Sequence, residues 1–149
     1  VDLVDCGEPI NDGQQVFVLR AALHALGAWV ARGVAAPKAP RLETVGSGDG
    51  ASYATDDVGN VTGGVRTPAV DAATDVLSGL PAPGSSLFCQ LMGHTEPVPA
   101  NQLAATYRNR AAYLSAYEQA LGHALAVGFV LPADRDEILA DAHPERFPA

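Results

Sequence analysis

One stretch of this chain, "QQVFVLRAALHALGAWVARG", limits what it can fold into more than any other. Apolar residues recur at Val16, Leu19, Leu23, Leu26 and Val30, the three-and-four spacing that lines up one face of a helix. Val18, Ala22, Ala25 and Trp29 widen that face, so the helix is expected to pack on more than one neighbour. Asn11 or Asp12 is positioned to cap its start, and Gly33 to end it.

Such a helix needs partners, and 149 residues can supply one domain with a real core. The hydrophobic fraction of 48% belongs to a globular protein, not a disordered one. A formal net charge of −8 opposes nonspecific binding to nucleic acid or anionic membrane, and the Arg108/Arg110 pair is too small to reverse it. No apolar run approaches the ~20 residues of a bilayer span. The chain begins at Val1 with neither a methionine nor a signal-peptide layout, which reads as a processed or truncated product. Cys6 and Cys89 form no CxxC pair, and their spacing leaves a disulfide and two buried thiols equally open.

Beyond the first helix, "VAAPKAP" reads as extended because proline disfavours helix in the residue before it. "RLETV" and "ASYAT" suit short strands around the turn "GSGDG", and "VTGGVRTPAV" reads as a further strand broken at Gly63-Gly64. Residues 42–70 are therefore expected to form a small antiparallel sheet or a pair of hairpins. The remainder reads as helical. "SSLFCQLM" and "NQLAATY" are short turns of helix. A longer helix follows Asn109, with its stripe at Tyr113, Tyr117, Leu121 and Leu125 and its end at Gly128, and "ADRDEILADA" closes the chain. The expected class is α+β in a single segment: a long amphipathic helix over 1–33, an extended hairpin region over 34–80 and a helical tail over 81–149.

Chemistry-bearing patterns are sparse. No G-x-S-x-G nucleophile elbow occurs, and Ser47, Ser85 and Ser86 sit in turn contexts. His24 and His123 flank apolar stripes, and His143 precedes a proline near the terminus. His94 stands apart, because "GHTEP" places it beside Glu96 in what reads as a loop, where binding groups often sit. No metal-ligating histidine spacing is present. Asp49, Asp56 and Asp57 lack the ligand spacing of a calcium loop. Arg66 lies between Gly63-Gly64 and Pro68 and suits two roles. It is either a bidentate carboxylate clamp for a ligand or an internal partner of Asp71 or Asp57 that fixes the strand. Arg66 and His94 are the candidate binding residues; no residue is assigned as catalytic or metal-binding, and no cofactor is expected.

The strings "CGEPINDGQQVFVLRAALHALGAWVARG", "APRLE", "GNVTGGVRTPAVD", "GHTEP" and "AVGFVLPAD", in this order, resemble the C-terminal part of a bacterial family of α/β-hydrolase domain proteins. The resemblance covers nearly the whole chain. It implies a serine-hydrolase, esterase-like core whose elbow serine and catalytic histidine lie upstream of Val1, with the helix after Asp12 as the closing helix of that core. A proline is common in that family where Gln14 stands here. The helix would then lie on a parallel sheet, which must be covered on both faces. Its implied partner is the remainder of the hydrolase core or a second chain. A non-catalytic α+β binding or interaction module is the competing expectation.

Overall fold

In a computed structural model, residues 6–148 are described. They form an α+β fold of five helices and two small antiparallel sheets. Helix α1 runs Gln15–Arg32, and strands β1 (Thr44–Val45) and β2 (Ser52–Tyr53) make the first hairpin. A four-residue helix α2 (Pro68–Asp71) leads into β3 (Asp75–Ser78), which pairs with β4 (His94–Pro97). Helices α3 (Ala100–Tyr107), α4 (Arg110–Val127) and α5 (Arg135–Ala140) complete the chain.

The centre of the core is one face of α4. Asn109 caps it by accepting the Ala112 amide at 2.9 Å, as its sequence position suggests, and Gly128 ends it in the left-handed conformation. Tyr113, Tyr117, Leu121 and Ala124 recur at the helical period and are all buried. Around them pack Phe17, Leu103, Tyr107, Val130, Ile138 and Phe147. The Tyr113 ring stacks on Phe147 at 4.7 Å between centroids and meets Tyr107 edge-on at 5.4 Å. Each buried tyrosine hydroxyl also has a polar partner. Tyr107 donates to the Ala73 carbonyl and Tyr117 to the Ile138 carbonyl, while Tyr113 accepts the His143 amide.

Helix α1 joins this core by its narrow side. Phe17 and Ala21 are buried, whereas Leu19, Leu23, Leu26, Trp29 and Val30 face solvent at 51–82% exposure. The stripe read from the sequence is thus real as a helical face, but it turns away from this chain's own core. Arg20 fastens the helix to α5 by bonds of 2.8 Å to Asp134 and to Glu137. Neither Asn11 nor Asp12 caps α1. The Asn11 side chain accepts the Gly13 amide two residues on, and the helix begins at Gln15 with Gln14 at its N-cap position. Gln14 is buried, and its amide nitrogen donates to the Tyr117 hydroxyl and to Asp141, both at 2.7 Å. Gln14 is thereby a polar node joining α1, α4 and the residue after α5.

Two expectations are corrected. Residues 65–70 are not a strand, because Pro68 at the first helical position starts α2 instead. His94 and Glu96 lie on β4, not in a loop; β4 falls in the region read as helical and pairs with β3 from the region read as extended. Both strands are only four residues long, too short to show a period in the sequence. The two cysteines form a disulfide, Cys6–Cys89, which ties the segment before α1 to the loop before β4.

Leu121→Ala is expected to cost about 2–5 kcal/mol in a denaturant melt, and Leu23→Ala less than about 0.5 kcal/mol, because one leaves a cavity and the other removes solvent-exposed surface. Burial pushes the Tyr107 phenol up to about 12, helped by Tyr113 and Asp56, and burial followed by the charge of Asp141 raises Tyr117 as well. A folded-state value above the unfolded one means stability is fully present below the unfolded phenol value of about 10 and is lost as pH climbs through about 12. Circular dichroism and tyrosinate absorbance should therefore change together across that alkaline window. Complete tyrosinate formation near pH 10 with the fold intact would contradict the packing described.

Candidate functional site

The run "DDVGNVTGGVRTP" builds one wall of a cleft, and each of its unusual residues has a mechanical reason. Asp56 opens a turn by accepting the amides of Val58, Gly59 and Asn60 on a single oxygen, at 3.0–3.1 Å. Its other oxygen meets Arg66 at 2.9 Å. Asn60, 2% exposed, then reaches across to the free edge of β3. Its side-chain nitrogen donates to the Asp75 carbonyl at 3.0 Å and its oxygen accepts the Leu77 amide at 2.8 Å. One side-chain amide thereby imitates a neighbouring strand and joins the turn to the β3–β4 sheet.

Thr55 and Val61 bridge the base of the turn, and Gly63-Gly64 follows. Both glycines have positive φ, 79° and 71°. A Cβ on Gly63 would collide with the Arg41 carbonyl, and one on Gly64 would sit 2.7 Å from the Leu42 side chain. The double glycine lets the 40–43 segment cross directly over the loop, where Glu43 donates its amide to the Thr62 carbonyl at 3.1 Å.

Arg66 closes this loop from inside. It pairs with Asp71 through Nε and with Asp56 through Nη2, and it donates to the Val61 carbonyl at 2.7 Å. Burial works against its charge, but the bonds to Asp71 and Asp56 outweigh burial and hold its pKa above the ordinary arginine value. The internal-partner role weighed in the sequence is thus occupied, by Asp71 and by Asp56 rather than Asp57. Asp56, also weighed as a calcium ligand, spends both oxygens on the protein.

His94 stands on the opposite side. Its side chain is 13% exposed, with Nδ1 2.7 Å from the Leu80 carbonyl and Nε2 3.1 Å from Glu96 Oε1. Ser78 faces His94 in the strand register, but its hydroxyl accepts the Leu80 amide at 3.1 Å. Both nitrogens of the imidazole face acceptors, so neither is placed to take a proton from Ser78. Ser85 lies elsewhere, its hydroxyl bonded to the carbonyls of Ala82 and Cys6.

Between these walls lies a cavity of about 650 Å3. Leu42, Val61, Val76 and Leu80 form its apolar lining, and Tyr53, Thr55, Ser78, His94 and Glu96 contribute polar atoms. His94 lines it; Arg66 does not, and acts on its wall from behind. A second cavity, about 220 Å3 and apolar, sits between α1 and the end of α4, against Trp29, Pro37, Val65 and Phe129.

Sequence reasoning selected Arg66 and His94 but not Asn60, which is indistinguishable from an ordinary turn residue until the edge of β3 lies beside it. The model of the alpha/beta hydrolase domain family matches residues 1–140, and the chain belongs to that family. Searches of curated proteins and of solved structures return no match.

Arg66→Ala is expected to lower stability by roughly 1–3 kcal/mol, because it leaves Asp56 and Asp71 partly buried without their cation. Unchanged stability together with lost ligand binding in the same variant would instead make Arg66 a ligand-contacting residue.

Proposed function

We propose that this chain is the C-terminal segment of an α/β-hydrolase-like esterase or acyl hydrolase. It completes the fold and shapes the substrate cleft without a complete catalytic site of its own. The observation that carries this reading is the solvent-facing apolar side of α1. Leu19, Leu23, Leu26, Trp29 and Val30 lie on one helix and are all more than half exposed. An apolar face of this kind marks an interface. A helix that flanks a hydrolase's central parallel sheet presents such a face to it. The sequence has no elbow serine, and among the described residues no parallel sheet occurs, so both would come from the remainder of the core.

A second reading, a non-catalytic binding module, draws on a different observation: α4 and its neighbours already enclose a core without help from α1's outer face.

The two readings separate on activity. This chain alone should hydrolyse aryl esters no faster than buffer. Co-expressed with the upstream part of a hydrolase from the same family, it should co-purify and restore hydrolysis. Leu23→Asp with Leu26→Asp should abolish both, yet leave the melting of the chain alone within about 0.5 kcal/mol because the sites are exposed. Saturable hydrolysis by the isolated chain, blocked by a serine-directed phosphonate, would overturn the proposal. Failure to co-purify with any such core would favour the module.

A further inference from the structure

We propose that the Cys6–Cys89 disulfide is the latch of a backbone strap, and that the protein works in an oxidising compartment, where that latch can close. The strap is residues 6–12, laid along the edge of β4 that β3 leaves free. The Thr95 amide donates to the Pro9 carbonyl at 2.8 Å, and its hydroxyl to the Ile10 carbonyl at 3.0 Å. The Asn11 amide donates to the Met92 carbonyl at 3.3 Å, and its side chain to the Ser78 carbonyl at 3.0 Å. Pro9 has no N–H to offer, which suits an outermost position. Thr95 lies between His94 and Glu96, so the strap also steadies that wall of the cleft.

These bonds hold the strap weakly by themselves. No residue of 6–12 is buried, and Ile10, its one large apolar side chain, is 46% exposed. Little hydrophobic burial opposes release, and each hydrogen bond there exchanges for one with water at small net cost. The disulfide supplies what is missing. Its other end is set in a loop that is equally loose: over 83–92, Cys89 is the only buried residue, at 1% exposure. One covalent bond thus fixes two segments, 83 residues apart in sequence, that apolar packing leaves unheld.

The surroundings are those of a structural bond and not of an exchange centre. Reactive cysteines are partly exposed, with cations beside them that favour the thiolate. Cys89 is enclosed, and neither 1–12 nor 76–93 contains a lysine, arginine or histidine. The sequence holds only these 2 cysteines, so no third thiol of the chain can attack the bond. Closing it is a two-electron oxidation. One Cys thiolate attacks the disulfide of an oxidoreductase or of oxidised glutathione and releases one carrier thiolate. The second Cys then attacks the mixed disulfide, and the carrier leaves as thiols with both electrons and both protons. The glutathione and thioredoxin of a cytosol drive this exchange in reverse, whereas exported proteins keep such bonds. The inference is independent of the hydrolase reading.

The test expresses the 149-residue chain in bacteria, with and without a leader that exports it to the periplasm, and traps thiols with a maleimide before lysis. The exported chain should carry no maleimide, and the cytosolic chain one on each of its 2 cysteines. The Cys6→Ala/Cys89→Ala variant should melt at least about 5 °C below the exported chain or fail to fold. Where it folds, hydrogen exchange at the amides of Asn11 and Thr95 should be at least about ten-fold faster than in the exported chain. A cytosolic chain already disulfide-bonded, an exported chain with free thiols, a smaller fall in melting temperature, or unchanged exchange at Asn11 and Thr95 would each overturn the proposal. Because no hydrolysis is measured, failure here leaves the hydrolase reading to its own activity test.

Discussion

The tyrosine face of α4 is the constraint on which the rest of the molecule depends. Tyr113 and Tyr117 occupy successive turns of one helix and supply two kinds of bond at once. Their rings fill the space between α3, α5 and Phe147, and their hydroxyls reach main chain that lies far away in sequence. A leucine at either site would fill part of the volume but leave the His143 amide, or one side-chain N–H of Gln14, without its partner. Such orphaned groups are costly in a dry interior. The segment after α5 is thereby positioned, and Asp141 comes within reach of Gln14 at the start of α1. The long first helix is oriented through this node and through the Arg20 bonds to Asp134 and Glu137.

That orientation gives α1 its two-sided character. Its inner side is thin, essentially Phe17 and Ala21, while the broader apolar side faces outward. A helix held by so small a buried face owes much of its position to polar contacts at its beginning and middle. The broader apolar side is left exposed. On the function proposed above, that surface would shield the parallel sheet of a hydrolase core.

The cleft follows a different logic. Its shape comes from a loop made rigid by three unrelated devices: a side-chain amide posing as a strand, a pair of glycines permitting a backbone crossing, and an arginine held between two carboxylates. None of these contacts the cavity as an apolar wall, yet each decides where such a wall stands. Arg66 is therefore a residue whose chemistry suggested ligand binding and whose geometry makes it a brace. His94, on the facing strand, is the one sequence-selected residue that borders the cavity.

The sequence by itself determined α1, α3, α4 and α5, the caps at Asn109, Gly33 and Gly128, the first hairpin and the stripe of α4, because these rest on contacts within a few residues. For Arg66 it left two roles open, a ligand clamp or an internal partner of Asp71 or Asp57. Tertiary structure alone decided which face of α1 is inward, since periodicity reports that a helix has an apolar side but not what meets it. The β3–β4 pairing was likewise decided in three dimensions, because four-residue strands carry too little pattern and are defined by the partner across the ladder. The same holds for Asn60 and Gln14. Each is an ordinary polar residue in its local string, and each became structural only when long-range folding brought an unpaired backbone edge or a buried tyrosine hydroxyl to within about 3 Å of it.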